Sequence, residues 1–278
     1  MKVNFNGKIF SSDLPILKSN NRAFLYGDAI FETLRMFEGK LPFLENHINR
    51  MLKTLAFLKY SVPKKYSAHF FKKEIKKIAS DNSRIRITVF RSDGGLYTPK
   101  NLRPNFLITS QPLKSSQFIL NKEGLTLGIF DEVKLSQTPL SPFKTCNALP
   151  YILAGIYKKE QNLDDCILLN EKDRISEAIS SNIFLFKKNK LITPSLSEGC
   201  VSGTMRSLIF KIASEENIII QEKKISLSSL NSFEEIWLTN AINGIQWVSK
   251  IGGLPPLSSP KCAPSFVHKI NLKIHKPY

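Results

Sequence analysis

Acidic side chains are scarce in this chain of 278 residues: 23 Asp and Glu face 40 Lys and Arg, for a formal net charge of +17. Cysteine is scarcer still. Its four copies, Cys146, Cys166, Cys200 and Cys262, lie far apart, with no CxxC pair and no histidines at metal-ligand spacing. That spacing argues against a metal site and fits the reduced thiols of a cytoplasmic protein. No apolar run approaches a membrane span, and Met1-Lys2-Val3-Asn4-Phe5 lacks the basic, apolar and small-residue order of an export signal. No internal repeat is present. What remains is the composition of a globular protein long enough for two modest domains.

The positive charge raises the question of nucleic acid. The lysines, however, are scattered. Their short clusters, Lys72-Lys73 and Lys76-Lys77, fall within F-F-K-K-E-I-K-K-I, where apolar residues recur at helical spacing and the lysines take the outer face. A solvated helix face accounts for them, so no nucleic-acid partner is expected. A positive field still favours a small anionic substrate and a phosphorylated cofactor.

Along the chain, Val3–Phe5 and Lys8–Phe10 flank Asn6-Gly7 and predict a hairpin. A strand is expected over Phe31–Phe37, and a helix over Glu45–Leu58, with Ile48, Met51, Leu52, Leu55 and Leu58 on one face. A second helix covers Ser67–Ala79. Arg84–Arg91 alternates cleanly as a strand, and Asn105–Ser110 is another. The connection Gln111–Ser116 marks a boundary between a small domain, 1–113, and a larger one, 117–278. Beyond it the pattern predicts strands near Leu125–Phe130, Cys166–Leu169, Asn182–Phe186, Lys190–Thr193, Ile218–Lys223, Glu235–Thr239 and Ile245–Val248. Helices are expected over Ala148–Gln161 and Thr204–Ala213, and the Pro- and Lys-rich stretch from Gly252 to Tyr278 reads as a partly irregular tail.

Chemistry concentrates between Lys144 and Arg206. Lys144 stands alone in S-P-F-K-T-C-N; Glu177 sits in S-E-A-I-S-S-N, whose small residues let a flat ring approach the backbone. Gly203-Thr204-Met205-Arg206 opens a helix, where free N–H groups and the helix dipole can receive a phosphate. An amine of adjustable basicity, a carboxylate and a helix-opening glycine are what pyridoxal phosphate (PLP) chemistry requires. Arg50 follows His47 by one helical turn and is a second phosphate candidate.

Taken together these residues resemble the class IV (fold type IV) PLP enzymes: branched-chain and D-amino acid aminotransferases and 4-amino-4-deoxychorismate lyases. The likeness extends from Asn6-Gly7 through R-A-F-L-Y-G-D-A-I-F-E-T-L-R and H-I-N-R to about Val248. It departs at Thr204, where the family usually carries an aliphatic residue. The resemblance implies an α/β (α+β) fold of two domains, with the cofactor in the cleft between them, and a homodimer. It makes Lys144 the lysine that holds the cofactor, Glu177 the partner of its pyridine nitrogen and Arg50 a phosphate ligand. Backbone groups of Gly203, Thr204, Met205, Asn240 and Ala241 would complete the phosphate cup.

Departures between subfamilies point to the reaction. Branched-chain enzymes typically place a tyrosine five residues after the lysine, where this chain has Leu149. D-amino acid enzymes carry a tyrosine at the position of Phe31 and an Arg-x-His pair in a loop that here reads Ser92–Pro99, with neither residue. The segment Thr239-Asn240-Ala241 is similar to that of the lyases. The expectation is therefore aminodeoxychorismate lyase activity in folate synthesis, with an amino acid transaminase using 2-oxoglutarate as the alternative. Arg86, Arg91 and Tyr97 are candidates to receive a dicarboxylate, and Tyr26, Phe31 and Thr33 to line the pocket.

Overall fold

The Asn6-Gly7 turn sets the first hairpin: both residues adopt left-handed backbone angles, φ 52° and 92°, matching the twist of the flanking strands. That hairpin belongs to the first of two units into which a computed structural model, describing residues 1–275, divides the chain. Among the described residues, one unit comprises Met1–Gln117 with Phe143–Asn147 and residues 274–275, the other Phe118–Pro142 with Ala148–Lys273.

The first unit contains β1 (Lys2–Phe5), β2 (Lys8–Ser11), α1 (Arg22–Tyr26), β3 (Ala29–Met36), α2 (Leu44–Phe57), α3 (Ala68–Lys76), β4 (Ser83–Arg91) and β5 (Pro104–Pro112). Its antiparallel sheet runs in the order β2-β1-β5-β4-β3. In β3 the even positions Ile30, Glu32, Leu34 and Met36 are buried, while Phe31, Thr33 and Arg35 are half-buried. β4 alternates in the same way, with Ile85, Ile87 and Val89 inside. Ile48, Met51 and Leu55 of α2, Phe71 and Ile75 of α3, and Phe106 of β5 complete the core. The apolar spacing of α2 puts those residues on one face, so burying that face, more than intrinsic propensity, holds the helix.

Lys144 belongs to this unit, a correction to the sequence reading, which assigns it to the second domain. The reason is backbone pairing. Phe31 N–H donates to the Lys144 carbonyl at 2.9 Å, and Cys146 N–H to the Ala29 carbonyl at 2.9 Å, so residues 144–146 extend the sheet beyond β3.

The second unit contains β6 (Leu125–Leu135), α4 (Leu149–Glu160), β7 (Asp165–Asn170), β8 (Ile175–Ala178), β9 (Asn182–Lys187), β10 (Lys190–Pro194), α5 (Thr204–Glu215), β11 (Ile219–Lys223), β12 (Glu235–Asn240), β13 (Gly244–Ile251) and α6 (Ala263–His275). Its mixed sheet has the order β11-β10-β9-β12-β13-β6-β7-β8. β10 with β11, β13 with β6 and β6 with β7 are parallel; the other pairs are antiparallel. One core cluster joins Ile167, Ile183, Leu185, Ile236 and Leu238; another joins Phe130, Cys166 and Leu168 beneath α4.

Two elements depart from the sequence reading. β8 is absent from it, because I-S-E-A carries no strand pattern of its own and takes strand form by pairing with β7. α6 lies within the stretch read as a partly irregular tail, whose last residues, 276–278, lie outside the described residues. The backbone N–H groups of Lys261, Cys262 and Ala263 all donate to the buried carboxylate of Glu235, at 2.7, 2.7 and 3.1 Å. A carboxylate on a distant strand thus supplies the acceptor that a helix N-terminus needs. All four cysteines are free thiols, and no helix among the described residues is long and apolar enough to cross a membrane.

Candidate active site

In the first unit, the half-buried face of β3 and β4 collects the cationic residues. Thr33 pairs with Arg86 across the two strands, and Phe31 with Thr88. The Arg86 guanidinium stacks 3.8 Å from the centre of the Phe31 ring, and Lys144 Nζ lies 4.6 Å from the same centre. Two cations therefore share one aromatic ring, an arrangement worth about 0.5–2 kcal/mol per cation. Burial pushes the Arg86 guanidinium below its usual range, with Cys146 opposing the shift. Burial also raises the Cys146 thiol, against the pull of Arg86. Phe31, Thr33, Arg86 and Lys144 are thus brought together as one anion-attracting patch.

On the buried face of β3, Glu32 holds two partners from α2. Arg50 Nε donates to Glu32 Oε1 at 2.8 Å and Nη2 to Oε2 at 2.6 Å, while His47 Nδ1 lies 2.7 Å from Oε2. Burial alone would raise the Glu32 carboxyl, but the Arg50 and His47 charges and hydrogen bonds overcome it and take it to about 2. His47 moves down, because burial outweighs its carboxylate partner and the Arg50 and Lys144 charges add to the effect. Arg50 thus sits in a fork-to-fork ion pair, fixed in orientation before any ligand arrives. Sequence reasoning passed over Glu32; its signal is the inward position in an alternating strand, where an unpaired carboxylate would not be tolerated.

Tyr26 and Tyr97 come together, ring centres 5.7 Å apart. Arg22 holds them there. It stacks on Tyr26 at 5.0 Å and donates to the carbonyls of Gly94, Gly95 and Leu96, which presents Tyr97 at 90% exposure. Arg91, expected among the substrate ligands, has a different occupation. It is buried, pairs with Asp28 at 3.0 Å, donates to the Leu58 carbonyl at 2.8 Å and stacks on Tyr60 at 4.0 Å. These are structural partners, and we remove Arg91 from the candidates.

In the second unit, Glu177 is the next-to-last residue of β8, just before a tight turn in which Ala178 N–H donates to the Ser181 carbonyl. The carboxylate is buried and accepts on both oxygens: from the Tyr151 hydroxyl at 2.7 Å on Oε1, and from Val201 N–H at 3.1 Å on Oε2. The Asn182 amide bridges Oε2, at 3.4 Å, and the Val201 carbonyl, at 2.8 Å. Burial and then the Glu177 charge drive the Tyr151 hydroxyl far above its usual range, so it stays a donor. Tyr151 is a neighbour of Glu177 that sequence reasoning missed, and it has no local signature; Asn182 stands in the small-residue stretch that carries Glu177. Leu149, the position of the branched-chain tyrosine, is 71% exposed.

Gly203 is the N-cap of α5, with Thr204 and a buried Met205 opening the helix. A Cβ on Gly203 would collide with Asn182 Oδ1, so only glycine leaves room there. Asn240 ends β12; its amide donates to Ser181 Oγ at 3.0 Å, and its oxygen accepts from the N–H groups of Ile242 and Asn243. Ala241 follows in that turn. A buried carboxylate fixed by three donors suits a protonated pyridine nitrogen, and a glycine-capped helix start suits a phosphate. The donor set and the side-chain-free cradle at Gly203 fit PLP.

The sequence pattern of the class IV amino-transferases matches residues 29–251. The chain belongs to that family. Class IV enzymes use PLP, and the chain has the mixed α/β architecture of fold type IV. Among relatives of this class IV chain, a branched-chain-amino-acid aminotransferase-like protein of Arabidopsis thaliana is 30% identical over 237 residues. That match takes in 82% of the chain but only 42% of the plant protein. An aminodeoxychorismate lyase of Bacillus subtilis is 29% identical over 256 residues, covering 88% of this chain and 85% of the lyase. In fold, a branched-chain aminotransferase from Thermoproteus uzoniensis superposes with a TM-score of 0.85 at 20% identity, covering 97% of this chain and 93% of the other.

Proposed function

We propose that this class IV enzyme is a 4-amino-4-deoxychorismate lyase that releases pyruvate and 4-aminobenzoate. The observation that carries the proposal is the pair of cations, Arg86 and Lys144, on the one ring of Phe31. It supplies a carboxylate receptor beside the reactive amine, as a dicarboxylate substrate requires. The near-complete mutual coverage with the Bacillus subtilis lyase supports the same reading.

PLP bound here would supply an aldehyde for the substrate amine and a ring able to accept an electron pair. Lys144 Nζ would take the proton from the amino-bearing carbon of the substrate and return one to the departing enolpyruvyl group. Glu177 keeps the proton on the ring nitrogen. Arg86 and Thr33 would orient a substrate carboxylate; the opening of α5 and the Asn240-Ala241 turn would hold the phosphate, for which Arg50 is a further candidate. Loss of pyruvate makes the remaining ring aromatic, so orientation and one proton shuttle are the main demands on the protein.

The same reading includes a homodimer. Leu149, Ile152, Leu153 and Ile156 form an exposed apolar stripe on α4, and a Cβ added at Gly155 beside them would meet nothing within 4 Å. Sedimentation should show a dimer that Ile152→Glu splits into monomers.

Incubation of the holoenzyme with aminodeoxychorismate should yield 4-aminobenzoate and pyruvate in equal amounts. Rapid glutamate formation from an amino acid and 2-oxoglutarate, with no 4-aminobenzoate, would instead establish a transaminase.

A further inference from the structure

Tyr151 lies in the first turn of α4, and its ring packs against the cluster of Phe130, Leu135, Ala154, Cys166 and Leu168. That packing fixes the direction of its hydroxyl, which donates to Glu177 Oε1 at 2.7 Å. Val201 N–H and the Asn182 amide occupy Oε2. All three are donors to the ionised form of the acid, and the two nearer contacts, from Tyr151 and Val201, divide between its oxygens. A carboxylate so supplied is a weak base, because hydrogen bonds to the charged form favour that form. Of the three groups, Tyr151 alone reaches Glu177 from outside the segment 177–201, so it can be altered without disturbing the turn that carries the acid.

We propose that Tyr151 is a positioning residue for Glu177: its hydroxyl keeps the carboxylate ionised and aimed, so that the proton between acid and cofactor ring stays on the ring nitrogen. The inference rests on Glu177 being the partner of that nitrogen. A protonated ring withdraws electrons from the cofactor's bond to Lys144, and the pH midpoint of the bound cofactor's visible absorption band reports that withdrawal.

The test titrates that band in four holoenzymes: wild type, Tyr151→Phe, Glu177→Gln and the double variant. Tyr151→Phe should move the midpoint upward by about one pH unit and lower kcat roughly tenfold with little change in KM, the scale set by one hydrogen bond to a charged group. In the Glu177→Gln background the same substitution should add nothing further. A Tyr151→Phe midpoint equal to wild type, with Glu177→Gln displaced, overturns the role of Tyr151 and leaves that of Glu177 standing. A Glu177→Gln enzyme with wild-type midpoint and cofactor retention overturns the Glu177 assignment itself. Should Tyr151→Phe fail to fold, 3,5-difluorotyrosine placed at 151 keeps the shape and strengthens the donor. The midpoint should then fall, and an unmoved midpoint refutes the proposal.

Discussion

Replacing Gly203 by alanine adds a single methyl group at the entrance to α5, and its cost can be worked from the surroundings. The backbone there, φ −67° and ψ 140°, is open to any L-residue, so the substitution introduces no torsional strain. The new Cβ instead collides with Asn182 Oδ1 and lies 3.2 Å from Asn182 Cγ and 3.4 Å from Arg206 Cβ. Asn182 cannot swing aside freely, since its amide holds the Val201 carbonyl at 2.8 Å and its side chain is buried. Overpacking costs about 1–3 kcal/mol, and forfeiting the Asn182–Val201 bond adds about 1 kcal/mol. The sum of about 2–4 kcal/mol corresponds to a drop in Tm of roughly 5–15 °C. Calorimetry of the apoprotein should show that drop, and titration with PLP should show affinity reduced about tenfold or more, because the displaced amide also supports Glu177. Gly203→Ala combined with Asn182→Ala should recover part of the stability by removing the clash. A Gly203→Ala protein that melts within about 2 °C of wild type and binds PLP as tightly would refute close packing at this helix start.

Glu32 has a folded-state pKa of about 2 against an ordinary 4.5, so its contribution is present above about pH 5 and fades as the pH falls toward 2. That contribution is about 3 kcal/mol at pH 7. Measured in a His47→Gln background to remove the histidine's own titration, Glu32→Gln should lower guanidinium-unfolding stability at pH 7 by less than this amount, since His47 supplies part of the shift, and by clearly less again at pH 3; an equal loss at both would show that Glu32 is not an ionised partner. Arg86→Met should raise the KM for aminodeoxychorismate about 10–100-fold while changing kcat less, the range expected for losing a charged hydrogen-bond donor; an unchanged KM removes Arg86 from the substrate site. Lys144→Ala should abolish turnover and the yellow colour, and borohydride should attach the cofactor to the wild-type chain at this residue alone. A labelled peptide elsewhere would relocate the reactive amine.

Features that depend on neighbours in sequence are legible in the order of the amino acids alone. The Asn6-Gly7 hairpin, the one-sided spacing of α2 and the alternation of β4 each encode their outcome within a few residues. The pairing of Phe31 with Arg86 and Lys144 is only partly legible, since each residue can be named but not their shared ring. What escapes depends on partners far along the chain. β8 is a strand because Leu168 stands opposite Glu177. α6 starts where the Glu235 carboxylate waits for it, and Tyr151 finds Glu177 across 26 positions. Arg91 shows the converse: a strand arginine reads as a ligand until Asp28, 63 positions away, is found to claim it.

The excursion of residues 143–147 back to β3 has a consequence for how the polypeptide comes off the ribosome. A nascent chain that has emerged only as far as Gln117 can form all five strands of its first sheet, yet β3 still offers the Phe31 amide and the Ala29 carbonyl to any passing strand. That edge stays unsealed until the lysine segment has been synthesised. A fragment cut at Gln117 would therefore carry a sticky flank, the one that residues 144–146 cover in the full chain.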